Sequence, residues 1–189
     1  MKIRNGFVSN SSSSSFLVGF KDIPATEQEM VKMLFGSNNT LRYYENLYPA
    51  DEIAAIVLRD LLFGSPLSEE EIKEELNSGY LGRGYGSDDW RYHRADAVED
   101  KFHKQFPGKD VRDDPEWSKK WREALNEDWK EQDRLREEGA DRFWQEHKQQ
   151  FEGTQIYKFH YSDNESPMEA AMEHGGIFNA LPCVRVSHH

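Results

Sequence analysis

Cysteine is nearly absent: Cys183 stands alone in a chain of 189 residues. A single thiol has no partner for an internal disulfide and cannot build a cysteine-rich zinc site, which fits a reducing compartment. Set between Pro182 and Val184 in an apolar run, it reads as a small buried residue rather than a nucleophile. Long apolar runs are missing too. No stretch approaches the roughly 18 residues a membrane span requires, and Met1-Lys2-Ile3-Arg4-Asn5-Gly6 leads into serines, not into the apolar core of a signal peptide. The expected location is the cytoplasm, away from membranes. Basic residues are in deficit, with 24 Lys and Arg against 35 Asp and Glu and a formal charge of -11. Counterion release from nucleic-acid phosphates needs clustered Lys and Arg, so general nucleic-acid binding is not expected. Such a surface suits solubility or a basic partner.

Aromatic residues are plentiful at 13% within a hydrophobic content of only 37%, so a few large rings are expected to carry the core. Phe16-Leu17-Val18-Gly19-Phe20 reads as a strand. So does 154–161, TQIYKFHY, which alternates polar with apolar, and so does Pro182 to Ser187, with Val184 and Val186 on one face. Helix signals fill the interval. Thr26 with Glu29 and Ser68 with Glu71 are capping-box patterns. Asp51 to Phe63 is too apolar for a surface helix and is expected to pack on the sheet. From Pro115 to about Gln150 a long charged helix carries Trp117, Trp121, Leu125 and Trp129 at intervals of four, with Gly139 as a candidate kink. The glycine-rich stretch 78–89 lacks the Lys-Ser/Thr ending of a phosphate loop and reads as a flexible surface loop. The expected fold is α+β: one domain over 1–189, a small sheet formed from the ends 1–25 and 152–189, and a helical insertion over 26–151.

Asn10 followed by Ser11, Ser12, Ser13, Ser14 and Ser15 is the one low-complexity element. Three readings stand: a solvated linker, an anion site, or a target of modification. Successive small residues can turn backbone N–H groups and hydroxyls toward one point, with Arg4 as a phosphate partner. Phosphorylated hydroxyls would change the local charge. The stretch MKIRNGFVSNSSSSSF resembles the N-terminus of a group of uncharacterised bacterial and bacteriophage proteins. Some of those are also similar in an Asp-Asn pair, a Glu-His-Gly element and an Arg-x-Ser-His-His ending, matched here by Asp163-Asn164, Glu173-His174-Gly175 and Arg185 to His189. The resemblance implies a bacterial or phage origin and brings no activity or cofactor.

The C-terminal segment concentrates His160, Asp163, Glu165, Glu169, Glu173, His174, His188 and His189. Imidazoles and carboxylates are ligands for Zn, Mn, Fe or Ni, but no H-x-x-x-H or H-E-x-x-H spacing sets two on one helix face, so the metal and any cofactor are unknown. Simpler readings compete, with Asp163-Asn164 as a turn, Glu173-His174-Gly175 as a helix end and the last histidines as a frayed tail.

If the end strands pair, the serine run, Arg4 or Arg185, and the histidines fall at one end of the sheet. The leading expectation is then a binding protein for a phosphorylated small molecule or nucleotide, acting in phage–host conflict, with Arg4, Asn10, Ser11 to Ser15 and Arg185 as ligand-binding residues. A second is a hydrolase or transferase on a nucleotide-like substrate, in which His174 or His188 acts as general base and Asp163 or Glu173 orients it. A third is an acidic interaction module whose charged helix binds a host protein through exposed tryptophans.

Overall fold

The computed structural model describes residues 13–82, 85, 91–108 and 115–188, with backbone alone over 91–97. Arg4, Asn10, Ser11, Ser12 and His189 lie outside the described residues. The architecture is α+β. In order it comprises β1 (Ser13–Phe20), α1 (Glu27–Phe35), β2 (Thr40–Tyr43), β3 (Asn46–Pro49), α2 (Ala50–Phe63), α3 (Glu69–Ser78), α4 (Arg91–Gln105), α5 (Pro115–His147), β4 (Gln155–Ser162), α6 (Pro167–His174) and β5 (Cys183–His188). Two compact units form: Met1–Leu81 with Trp144–His189, and Gly82–Phe143. Among the described residues no helix is long and apolar enough to cross a membrane.

The first unit is built on a three-stranded sheet of order β4-β1-β5, in which β1 runs antiparallel to both neighbours. Both chain ends therefore supply strands to one sheet. Directly opposed residues share a face, so Phe16 lies beside Phe159 and Arg185, while Ser15 lies beside His160 and Val186 on the other face. The central strand is covered on both sides, and every residue from Ser14 to Phe20 is buried. That is why its apolar run does not alternate.

On one face Phe16, Val18, Phe20, Tyr157, Phe159 and Tyr161 meet Met30 and Leu34 of α1, Ile53, Val57 and Leu61 of α2, and Met172 of α6. The core is aromatic, with Phe178 centred 5.0 Å from Phe159 and 5.4 Å from Phe16. Local sequence fixes the helix starts. Thr26 and Ser68 accept from the Glu29 and Glu71 amides, Ser68 completing a reciprocal capping box. Ser166 does the same for α6, with Pro167 opening the helix.

Two local features differ from the sequence expectation. Residues 40–49 form a two-stranded hairpin within the stretch read as helical, because Thr40, Leu41, Tyr43, Leu47 and Tyr48 favour extended backbone. And α5 runs through Gly139 without a break, since one glycine costs a helix only about 1 kcal/mol. The glycine-rich stretch begins in order: Tyr80 forms an antiparallel bridge with Ser187, and Gly79 lies so close to β5 that a Cβ there would meet Val186 at 2.5 Å.

In the second unit α4 buries Val98 and Phe102 and α5 buries Leu125, and the Trp117 ring lies tilted with its centre 4.3 Å from that of Phe106 and Lys120 4.5 Å over the Trp117 face. Trp117 and Trp121 are half-buried, while Trp129 is 47% exposed.

Candidate functional site

Consecutive strand residues point to opposite faces, so Ser14 and Ser15 feed two different polar clusters. Both hydroxyls are enclosed, at 0% and 1% exposure. On the core face Ser14 Oγ donates to Glu173 Oε1 at 2.9 Å and accepts from Arg185 Nε at 2.9 Å. Arg185 Nη2 donates to the same Glu173 oxygen at 3.2 Å and lies 3.3 Å from His174 Nδ1. A guanidinium has no lone pair to offer, so Nδ1 is the acceptor and the imidazole proton resides on Nε2. That nitrogen faces Glu173 Oε2 at 3.5 Å. The Glu173 side chain is wholly buried, and the Arg185 guanidinium lies 5.8 Å from the Phe16 ring centre.

The site gathers there because three elements end together. β4 ends at Ser162 and turns at Asp163, α6 closes on His174 with Gly175 as its C-cap, and the β2–β3 hairpin reaches over them. The ligand atoms of Asp163, Glu173 and His174 all lie within 4.8 Å of one another. The Tyr43 ring stacks on His174, with centroids 6.1 Å apart and planes 13° apart. Burial, the hydrogen bond with Tyr44 and the charges of Tyr44, Asp163 and Glu173 all raise the Tyr43 hydroxyl pKa.

Beside this cluster is an open depression of about 500 Å³ lined by Arg42, Tyr43, Tyr44, His174 and Gly175. Tyr44 is 80% exposed and adopts φ 52°, a left-handed conformation unfavourable for a bulky side chain. Arg42 Nε makes a long bond to the Tyr44 carbonyl, and among the described residues Arg42 has no carboxylate partner.

On the opposite face Ser15 Oγ lies 3.0 Å from His188 Nε2 and 3.3 Å from His160 Nδ1. A hydroxyl has one proton, so Ser15 donates to at most one of them. Glu75 of α3 approaches His188 Nε2 at 3.4 Å and accepts from Lys158 at 2.5 Å. Burial pushes the Glu75 carboxyl up, but bonds from Lys158 and Ser15 and the charges of Lys158 and His188 outweigh it and hold the pKa below its ordinary value.

The sequence candidates thus separate. Asp163, Glu173, His174, Arg185 and Ser14 come together, while His188 joins Ser15 across the sheet and cannot share an ion with His174. Ser13 pairs with Ser162 and His188 at the start of β1. Arg42, Tyr43, Tyr44 and Glu75 are additions from the structure. The first three follow from a hairpin that β-propensity over 40–48 could have revealed. Glu75 has no local signal, because Ser15, Lys158 and His188 all lie far from it in the chain. Comparison with protein-family models, curated proteins and solved structures gives no match.

Proposed function

We propose that this chain is a binding protein for a phosphorylated small molecule, most simply a nucleotide, held in the depression at the β2–β3 hairpin. The observation that carries the reading is Arg42. In a chain of charge -11 it lines a depression without a carboxylate partner among the described residues, next to two tyrosines. A guanidinium is suited to a phosphate, and an exposed ring such as Tyr44 to a planar base. The left-handed backbone at Tyr44 adds support, because strain held at an exposed aromatic is a common mark of a binding element.

Binding is favoured over turnover by the chemistry of His174. Its Nδ1 is engaged by Arg185 and its Nε2 carries the proton, so neither nitrogen is set to take one from water. An interaction module built on α5 has less support, since Trp129 is its one strongly exposed indole among the described residues.

A thermal-shift and calorimetric panel of nucleoside mono-, di- and triphosphates against the matching nucleosides tests the reading. Ligand at about 100 times its Kd stabilises by about 2.7 kcal/mol, which raises Tm by roughly 5–10 °C for a chain of this size. Arg42→Ala should abolish the preference for phosphorylated forms and Tyr44→Ala should weaken all nucleotides. A flat response to every phosphorylated compound at millimolar concentration refutes it.

A further inference from the structure

The charge of the cluster beside the depression does not suit a bare phosphate. Asp163 and Glu173 against Arg185 leave one net negative charge, and His174 sits at the carbonyl end of α6, the negative end of the helix dipole. A phosphate paired with Arg42 would lie beside His174, whose near neighbours are these two carboxylates. The same features favour a cation. Glu173 Oε2 and His174 Nε2 face each other at 3.5 Å, about the separation of two tetrahedral ligands on one ion with bonds near ~2.1 Å. The Asp163 carboxylate completes a set of three donors within 4.8 Å.

We propose that Asp163, Glu173 and His174 hold a divalent first-row transition-metal ion that bridges to the phosphate of the ligand, an inference that rests on the reading of the depression given above. Two carboxylates with one imidazole suit Mn²⁺, Fe²⁺, Co²⁺ or Zn²⁺ better than an all-oxygen Ca²⁺ or Mg²⁺ site or a thiolate site. Ser14 acts as the positioning residue, its hydroxyl holding Glu173 Oε1 so that Oε2 is directed at His174, and Arg185 Nε in turn holds Ser14 Oγ. Ligation through His174 Nε2 moves the ring proton to Nδ1. Arg185 Nη2, now 3.3 Å from that atom, then meets a second donor and turns away. The Arg185 side chain is 38% exposed and has room to do so while Nε stays on Ser14.

The test titrates Mn²⁺ into EDTA-stripped full-length protein without nucleotide, following loss of the free-ion electron paramagnetic resonance signal. Asp163→Asn, His174→Ala and the control His188→Ala are run in parallel, with circular dichroism to verify folding. The expected result is one ion per chain, weakened at least about tenfold by Asp163→Asn and His174→Ala and unchanged by His188→Ala. Absence of stoichiometric Mn²⁺, or binding kept by His174→Ala and lost by His188→Ala, overturns the site. Nucleotide titrations into stripped protein separate the two readings. Nucleotide affinity indifferent to EDTA and to Asp163→Asn refutes the bridge and leaves the depression standing. Stoichiometric Mn²⁺ binding with no nucleotide response refutes the depression and supports the metal site.

Discussion

Arg185→Met strips the buried Glu173 carboxylate of its cationic partner while keeping an unbranched stem near Phe16. Breaking a buried ion pair by removing one partner costs about 3–5 kcal/mol. Here Glu173 is fully enclosed but Arg185 is 38% exposed. Water already screens the cation and can enter once it is gone, which lowers the expectation to about 2–3 kcal/mol. Glu173→Gln removes the charge from the other side but leaves an amide oxygen that accepts from Ser14 and Arg185, at a cost of about 1–2 kcal/mol. The double variant has no buried charge to satisfy, so its cost should not exceed that of Arg185→Met alone. The cycle therefore predicts a coupling of about 1–2 kcal/mol. Urea denaturation of the four proteins, followed by circular dichroism and compared at equal m, measures it. Costs that add to within about 0.5 kcal/mol would show that Glu173 and Arg185 are neighbours without energetic linkage, and the reasoning about the cluster would fail.

The opposite face makes a pH prediction. Because the folded Glu75 pKa is depressed below the ordinary 4.5, its stabilisation is fully present above the unfolded value and is lost as pH falls through the folded one. The urea midpoint should fall more steeply in the parent than in Glu75→Gln over that acid range, and parallel profiles would contradict the Lys158–Glu75 pairing. Burial pushes the Cys183 thiol up to about 12, so a thiol reagent at about pH 8 should label this partly buried residue far more slowly than a free cysteine. Rapid labelling of native protein would show that the end of β5 opens.

The end strands were legible because each declares itself locally. The run Phe16 to Phe20 is bounded by polar residues, and Gln155 to Tyr161 alternates at period two. The helix starts at Thr26 and Ser68 were equally plain, since a capping box is a property of four consecutive residues. Pairing between the ends was a topological inference, and the order β4-β1-β5 agrees with it. The hairpin was missed for a different reason. Its strands are four residues each, and the Tyr44-Glu45 turn lacks the Asn-Gly or Asp-Gly dipeptide that marks a tight hairpin, relying on a tyrosine at positive φ instead.

The serines, His174, His188, Glu173 and Arg185 were visible in sequence, but their grouping was not, and the reason lies in the period of a strand. The serine run reads as one feature in sequence, and His174 and His188 read as one cluster. Once Ser13 to Phe20 is extended, adjacent hydroxyls must part: Ser14 goes to Glu173 and Arg185, and Ser15 to His160 and His188. A shift of β1 by one residue against its neighbours would exchange the two sets and drive Phe16, Val18 and Phe20 out of the aromatic core. The core rings therefore fix the register, and the register decides which serine meets which histidine. It follows that Glu173 and Glu75, though both enclosed carboxylates beside a histidine and a cation, belong to separate sites, and variants at one should leave the chemistry of the other intact.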